Sequence, residues 1–206
     1  MANPRQNGHQ MMLYEPPDSD ELEEIQELNL LFLIYLRASA RDGGNCLGLP
    51  AASARTLCEL SSTALEVMSA FPRSLFILDL DNLTATGMHL DLSPTVLDQS
   101  RQALTLTVLH SAWSMSRKRD FNARIFLRLS RTAIRRLRTI TLSQLPLLAA
   151  TPGLLGCAFP GALSLWATLI NRTETEMPRA LKLIALHPDT EVRPAHRARA
   201  LRSIPS

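Results

Sequence analysis

Eight positions in this chain recur at one constant spacing. Leu57, Leu60, Leu65, Val67, Met68, Ala70, Pro72 and Leu75 are answered by Leu137, Ile140, Leu145, Leu147, Leu148, Ala150, Pro152 and Leu155, each 80 positions later. Self-similarity of this kind restricts the fold to two versions of one supersecondary unit, each too small to bury its apolar face alone. Proline disfavours helix in the residue before it, so both copies are expected to be helical hairpins that turn at Pro72 and Pro152. Further upstream, Asn29-Leu30 through Leu36 aligns with Asn122-Ala123 through Leu129 at an offset of 93, which makes the second copy shorter by 13 residues of the loop and helix around Gly43 to Arg55. The competing explanation is a fortuitous match between two Leu-rich helical hairpins.

The periodicity favours helices throughout. Leu22, Ile25, Asn29, Phe32 and Leu36 recur at three and four residues, with Leu28, Leu31 and Tyr35 widening the stripe. Ser19 or Asp20 can cap this helix, acids follow in its first turn, and Asp42-Gly43-Gly44 should end it. A second helix is expected after Leu49-Pro50, and a third from Ser61-Ser62 up to Phe71-Pro72-Arg73-Ser74. Leu75-Phe76-Ile77-Leu78 reads as a brief strand or as another packed segment. Ser93-Pro94 opens a helix reaching about Ser114. With aromatics at only 5% and no long β-branched alternation, the fold class is all-α.

Charge is patterned along the chain. Residues 1–27 carry one base against seven acids, whereas residues 117–138 carry nine bases against one acid. The first 20 residues, with Asn-Pro, Asn-Gly and Pro-Pro-Asp-Ser, read as a disordered leader and not as a secretion signal. Cys46, Cys58 and Cys157 form no short pairing pattern, which points to a reducing, cytoplasmic setting. Between Thr139 and Ile170 no residue is charged, a length that could span a bilayer. Pro146, Pro152, Gly153, Pro160 and Gly161 cut it into pieces too short to cross, so a buried hairpin is preferred to a membrane-associated segment.

Little points to catalysis. The five histidines are scattered without metal-ligand spacing, and no metal site or cofactor is expected. His89 and Asp91 with Asp79 and Asp81 are the densest polar group, read as a solvated edge. Gly153-Leu154-Leu155-Gly156 lacks the Lys and hydroxyl of a phosphate loop, and Cys157, set among apolar residues, reads as a packed thiol. The expectation is a protein that is not an enzyme.

The most informative local feature is the series Arg124, Arg128, Arg131, Arg135 and Arg138, spaced to share one face of a single helix whose other face carries Phe126, Leu129, Ala133, Leu137 and Ile140. Three readings stand: a solvated face, a contact to nucleic-acid phosphate, or a clamp onto the acidic helix around Glu21, Glu23, Glu24 and Glu27. The clamp is slightly favoured. For the matching surface on the first helix, Glu24, Glu27, Leu28, Leu31 and Tyr35 are the candidate subunit or repeat interface.

These residues resemble the FlhD family, a subunit of the bacterial flagellar master transcription activator. The likeness rests on Glu27-Leu28-Asn29-Leu30 with Leu33 and Leu36, on Leu47-Gly48-Leu49, on Leu57 to Leu60 with Leu65, and on Ile140-Thr141-Leu142-Ser143-Gln144-Leu145 followed by Leu148-Ala149-Ala150-Thr151. It covers residues 20–115, and 120–170 in truncated form. The family's Cys position falls on Phe76 and Gly156, so an inter-subunit disulfide is not carried over. The resemblance implies a helical regulator that dimerises, joins an FlhC-type subunit, and acts on promoter DNA to activate flagellar (class II) genes.

The expected organisation is therefore a leader (1–19), an FlhD-like helical domain (20–116), a truncated second repeat (117–186) and a basic flexible tail (187–206). The two copies are expected to form a homo-oligomer or an intramolecular pseudo-dimer. The rival functions are a helical adaptor or anti-regulator without DNA-binding activity, and a membrane-associated protein acting through 139–170.

Overall fold

The computed structural model describes residues 19–81, 96–159 and 163–171. The expectations about the leader, the His89 and Asp91 pair, the Ser93-Pro94 cap and the basic tail lie outside the described residues. Within them the fold is mostly helical, in agreement with the all-α expectation.

The first run begins with α1 (Ser19–Arg41), continues through α2 (Ala51–Glu59) and α3 (Ser62–Ser69), and ends in a short strand, β1 (Phe76–Leu78). Asp20 and Glu21 stand in the first turn of α1, where the helix dipole favours them. Ile25, Leu28, Asn29, Phe32, Leu33 and Leu36 are its buried stripe. Gly43, at φ 67°, stops the helix, and the Gly44 N–H donates back to the Ser39 carbonyl at 2.8 Å, a Schellman closure. Ser61 caps α3 by accepting from the Ala64 N–H at 3.1 Å.

The second run repeats this sequence of elements with one addition. It comprises α4 (Val96–Lys118), the extra seven-residue α5 (Asp120–Phe126), α6 (Arg131–Thr139), a 3-10 turn (Leu142–Gln144) leading into α7 (Leu145–Ala149), and β2 (Leu155–Cys157). Helices α1 and α4 are both 23 residues long, and α2 and α6 are both nine. Shifting α2 by 80 positions gives α6, and shifting α3 by 80 gives the 3-10 turn plus α7. The second copy therefore starts at α4. Asn122, which the sequence pattern pairs with Asn29, lies instead on the short α5, so the offset of 93 is not the structural one. The link from α4 to α6 (119–130), which holds α5, is longer than the link from α1 to α2 (42–50), and the boundary drawn at 116/117 falls inside the last turn of α4.

The two copies meet at an antiparallel ladder of β1 and β2, with Phe76 opposite Cys157, Ile77 opposite Gly156 and Leu78 opposite Leu155. Leu75-Phe76-Ile77-Leu78 thus contains a strand. Subtracting 80 from the partner numbers shows the symmetry: position 76 pairs with the equivalent of 77, and 77 with the equivalent of 76. Such reciprocal pairing is what a local two-fold axis produces. Around it, α1 packs on α2 and α3, α4 packs on α6 and α7, and α1 packs against α4 across the middle. One hydrophobic core includes residues of both copies, among them Leu65 and Leu145, each 1% exposed. α8 (Leu163–Asn171) packs on α2 and α3, with Trp166 and Leu169 buried. No described helix is long and apolar enough to cross a membrane.

Cys157 sits in the ladder, buried, its N–H donating to the Leu47 carbonyl at 2.7 Å. Burial first, and then the nearby Cys46, push its thiol far above the ordinary range, and burial also raises half-buried Cys46. A thiol-reactive disulfide reagent is therefore expected to leave Cys157 untouched in the native protein and to reach all three cysteines only in urea. Rapid native reaction of three thiols would contradict this packing.

Candidate functional site

The arginine series does not lie on one continuous helix. α5 ends at Phe126, α6 begins at Arg131, and Arg128 stands between them at φ 57°. The break has a local cause in Ser130, whose hydroxyl accepts from the Ala133 N–H at 2.9 Å and starts a new helix. The repeat itself carries the signal for this break. Leu127-Arg128-Leu129-Ser130 stands 80 positions after Leu47-Gly48-Leu49-Pro50, the turn before α2, so extending the constant offset upstream would have located it.

The five arginines separate accordingly. Arg124 on α5 and Arg131 and Arg135 on α6 are exposed. Arg138 is also exposed, but its Nε donates to the Ser116 carbonyl at 2.8 Å and Nη2 lies 3.8 Å from Asp120. Arg117 answers it by donating to the Arg138 carbonyl at 3.0 Å while stacking 4.3 Å from the Trp113 ring, and the indole N–H donates to the Ile140 carbonyl at 2.8 Å. These contacts pin α6 to α4. Arg128 is turned inward, its guanidinium carbon 3.6 Å from the Phe159 ring centre. Arg136, outside the predicted series, donates to the carbonyls of Leu80 and Asp81.

The acids of α1 do reach the second copy, though through different residues from those expected. Glu21 accepts from the Asn122 amide and lies 3.7 Å from Arg119, and Glu24 accepts from the Ser111 hydroxyl on α4. Arg119, Asn122 and Ser111 thus take the place assigned to the arginine series. Their polarity is evident in the sequence, but the register that brings them to α1 depends on α4 being the second copy's first helix.

The interface candidates on α1 also divide. Leu28 is buried in the core; Glu24 and Glu27 are exposed. Tyr35 is half-buried, and burial raises its hydroxyl pKa against the opposing pull of Arg101 on α4. Leu31 is 45% exposed beside Ile34 at 43%, one helical turn apart on the outer face.

A groove of about 340 Å³ runs between α4 and α7, lined by Leu106, Thr107, His110, Leu142, Leu145 and Pro146. With one titratable group it offers no converging catalytic set. Among the described residues, no three His, Cys, Asp or Glu side chains are grouped so that they could hold a metal ion. What the arrangement can do chemically is present positive charge: Arg124, Arg131 and Arg135 offer guanidinium groups to an anionic partner from two adjacent helices. No protein-family model, characterised protein or solved structure matches this chain.

Proposed function

We propose that this chain is a single-chain counterpart of an FlhD-like dimer, a regulator subunit that joins an FlhC-type partner and activates flagellar (class II) gene transcription. The observation that carries the reading is the reciprocal β1–β2 ladder between two runs of the same elements. A protein that works as a symmetric dimer needs the same surface twice, and a tandem copy related by a local two-fold supplies it within one chain. The exposed Arg124, Arg131 and Arg135 lend support as a surface for promoter phosphates within the assembled complex.

The test is co-purification with an FlhC-type subunit, followed by promoter binding across a salt series. The chain is expected to enter the complex alone, without a further FlhD-type copy. Replacing Arg131 and Arg135 with alanine should lower the log–log salt slope by about 0.9 for each phosphate that is no longer neutralised, with assembly intact. Failure to bind the FlhC-type subunit would sink the regulator reading. Assembly with an unchanged salt slope would remove these arginines from the DNA interface and leave the helical adaptor role.

A further inference from the structure

The local two-fold allows the two crossings beside the ladder to be compared position by position. At one crossing the turn after α3 meets the α5–α6 junction, where the Ser74 N–H donates to the Phe126 carbonyl at 2.8 Å and Arg73 Nε donates to the Ile125 carbonyl at 2.6 Å. At the other crossing, the turn before α2 receives the Cys157 N–H on the Leu47 carbonyl. Under the 80-residue shift, Arg73 corresponds to Gly153 and Arg128 to Gly48. One crossing therefore has two arginines where its counterpart has two glycines.

Arg128 occupies its position against a backbone preference. Gly48 holds φ 87°, which glycine adopts freely, whereas Arg128 holds φ 57° with a β-carbon that disfavours it. The guanidinium lies against Phe159, which meets Phe71 edge-on at 6.5 Å. Its Nε and Nη2 are shut off from solvent and have no hydrogen-bond partner among the described residues. Those two nitrogens form one edge of the guanidinium, the fork that matches two oxygens of a carboxylate or phosphate. Burial, and after it the charge of Arg73, push Arg128 down to about 9, so its surroundings as they stand oppose the positive charge they enclose. Backbone strain, an unused donor edge and a second buried cation coincide at one place, and strain retained at a defined position is a mark of function.

We propose that Arg128, backed by Arg73 and Phe159, is the binding site of a small oxyanion, a carboxylate or phosphate group held by the Nε and Nη2 edge. An oxyanion on this edge pairs with the two unused donors and offsets the repulsion between the two guanidiniums. The inference does not depend on the regulatory role proposed above.

The experiment compares thermal unfolding of the full chain in sodium chloride, sodium phosphate and sodium acetate at matched ionic strength. R128G restores the residue type found at position 48 and relieves the backbone, so it is expected to fold. R128K keeps the charge but removes the two-nitrogen edge. For the wild type, the unfolding midpoint should rise with the logarithm of phosphate or acetate concentration relative to chloride; R128G should not respond, and R128K should respond weakly. A response to phosphate alone assigns a phosphate group, and a response to acetate alone assigns a carboxylate. Equal shifts in the wild type and R128G would reveal a general salt effect and overturn the proposal, as would a wild type that responds to neither anion.

Discussion

Replacing Asn29 with leucine is expected to destabilise the protein by about 3–5 kcal/mol, close to the limit that a domain with roughly 5–15 kcal/mol of total stability can absorb. Asn29 is fully buried on α1. Its amide nitrogen faces the carbonyls of Ser69 at 3.3 Å, Phe71 at 3.1 Å and Arg73 at 2.9 Å, and its oxygen accepts from the Leu75 N–H at 2.8 Å. The side chain thus supplies backbone partners for the turn between α3 and β1, where the chain is neither helix nor strand. Leucine matches the volume but leaves a buried N–H and up to three carbonyls without those partners, at about 1–3 kcal/mol for each group fully stranded. Urea unfolding measures the loss, and a change within about 0.5 kcal/mol of wild type would show that the turn does not depend on this residue.

Asn29→Asp adds a signed pH test at the same position. An aspartate there faces three carbonyl oxygens, so the folded state favours its neutral form and raises its pKa above the unfolded value of about 3.9. The variant should be most stable below that unfolded value and should lose stability as pH rises towards the folded pKa, because the native state then holds the extra proton. A variant as stable at neutral pH as in mild acid would contradict this account.

Asn29 also shows how far the sequence could be read. Its place in the apolar stripe of α1 marks it as inward-facing, and the stripe itself is visible at three- and four-residue spacing. What it bonds to is 40 to 46 residues away, and one chain's periodicity contains no record of that distance. The turns at Pro72 and Pro152 were legible for the complementary reason, since caps, prolines and Leu spacing act within a few residues, but each leads into a strand and not into the second helix of a hairpin. β1 remained ambiguous because three residues cannot establish a period, and its partner is Gly156 opposite Ile77, a pairing without a cross-strand hydrophobic match. The arginine series misled because spacings of four, three, four and three fit an uninterrupted helix, while the one residue that breaks it, Arg128, is of a type that rarely takes a positive φ. The upstream alignment failed similarly, since a matching asparagine at position 122 drew the comparison away from α4, whose bounds lie 77 positions after those of α1.

The constancy of the 80-residue offset leads to the other large expected effect. Leu65 and Leu145 are equivalent under the shift and each is 1% exposed, Leu65 on α3, which packs on α1, and Leu145 on α7, which packs on α4. Truncating either to alanine should cost about 2–5 kcal/mol, from the forfeited apolar transfer and the cavity left behind. The form of the transition is more informative than its size. If the copies were independently stable hairpins, L65A would melt only the first and split the unfolding curve into two steps. The β1–β2 ladder, the α1–α4 packing and the bonds from Glu21 to Asn122 and from Glu24 to Ser111 all cross between the copies, so neither has a complete core or a complete set of hydrogen bonds without the other. A single transition is therefore expected for wild type, L65A and L145A alike, followed in urea by far-ultraviolet circular dichroism and Trp fluorescence together. Because the two leucines pack against different long helices, the double variant should lose nearly the sum of the single losses, within about 0.5 kcal/mol. Two separated steps in either single variant, or probes that fail to coincide, would show that the tandem copies fold as two bodies and would remove the basis for a built-in dimer.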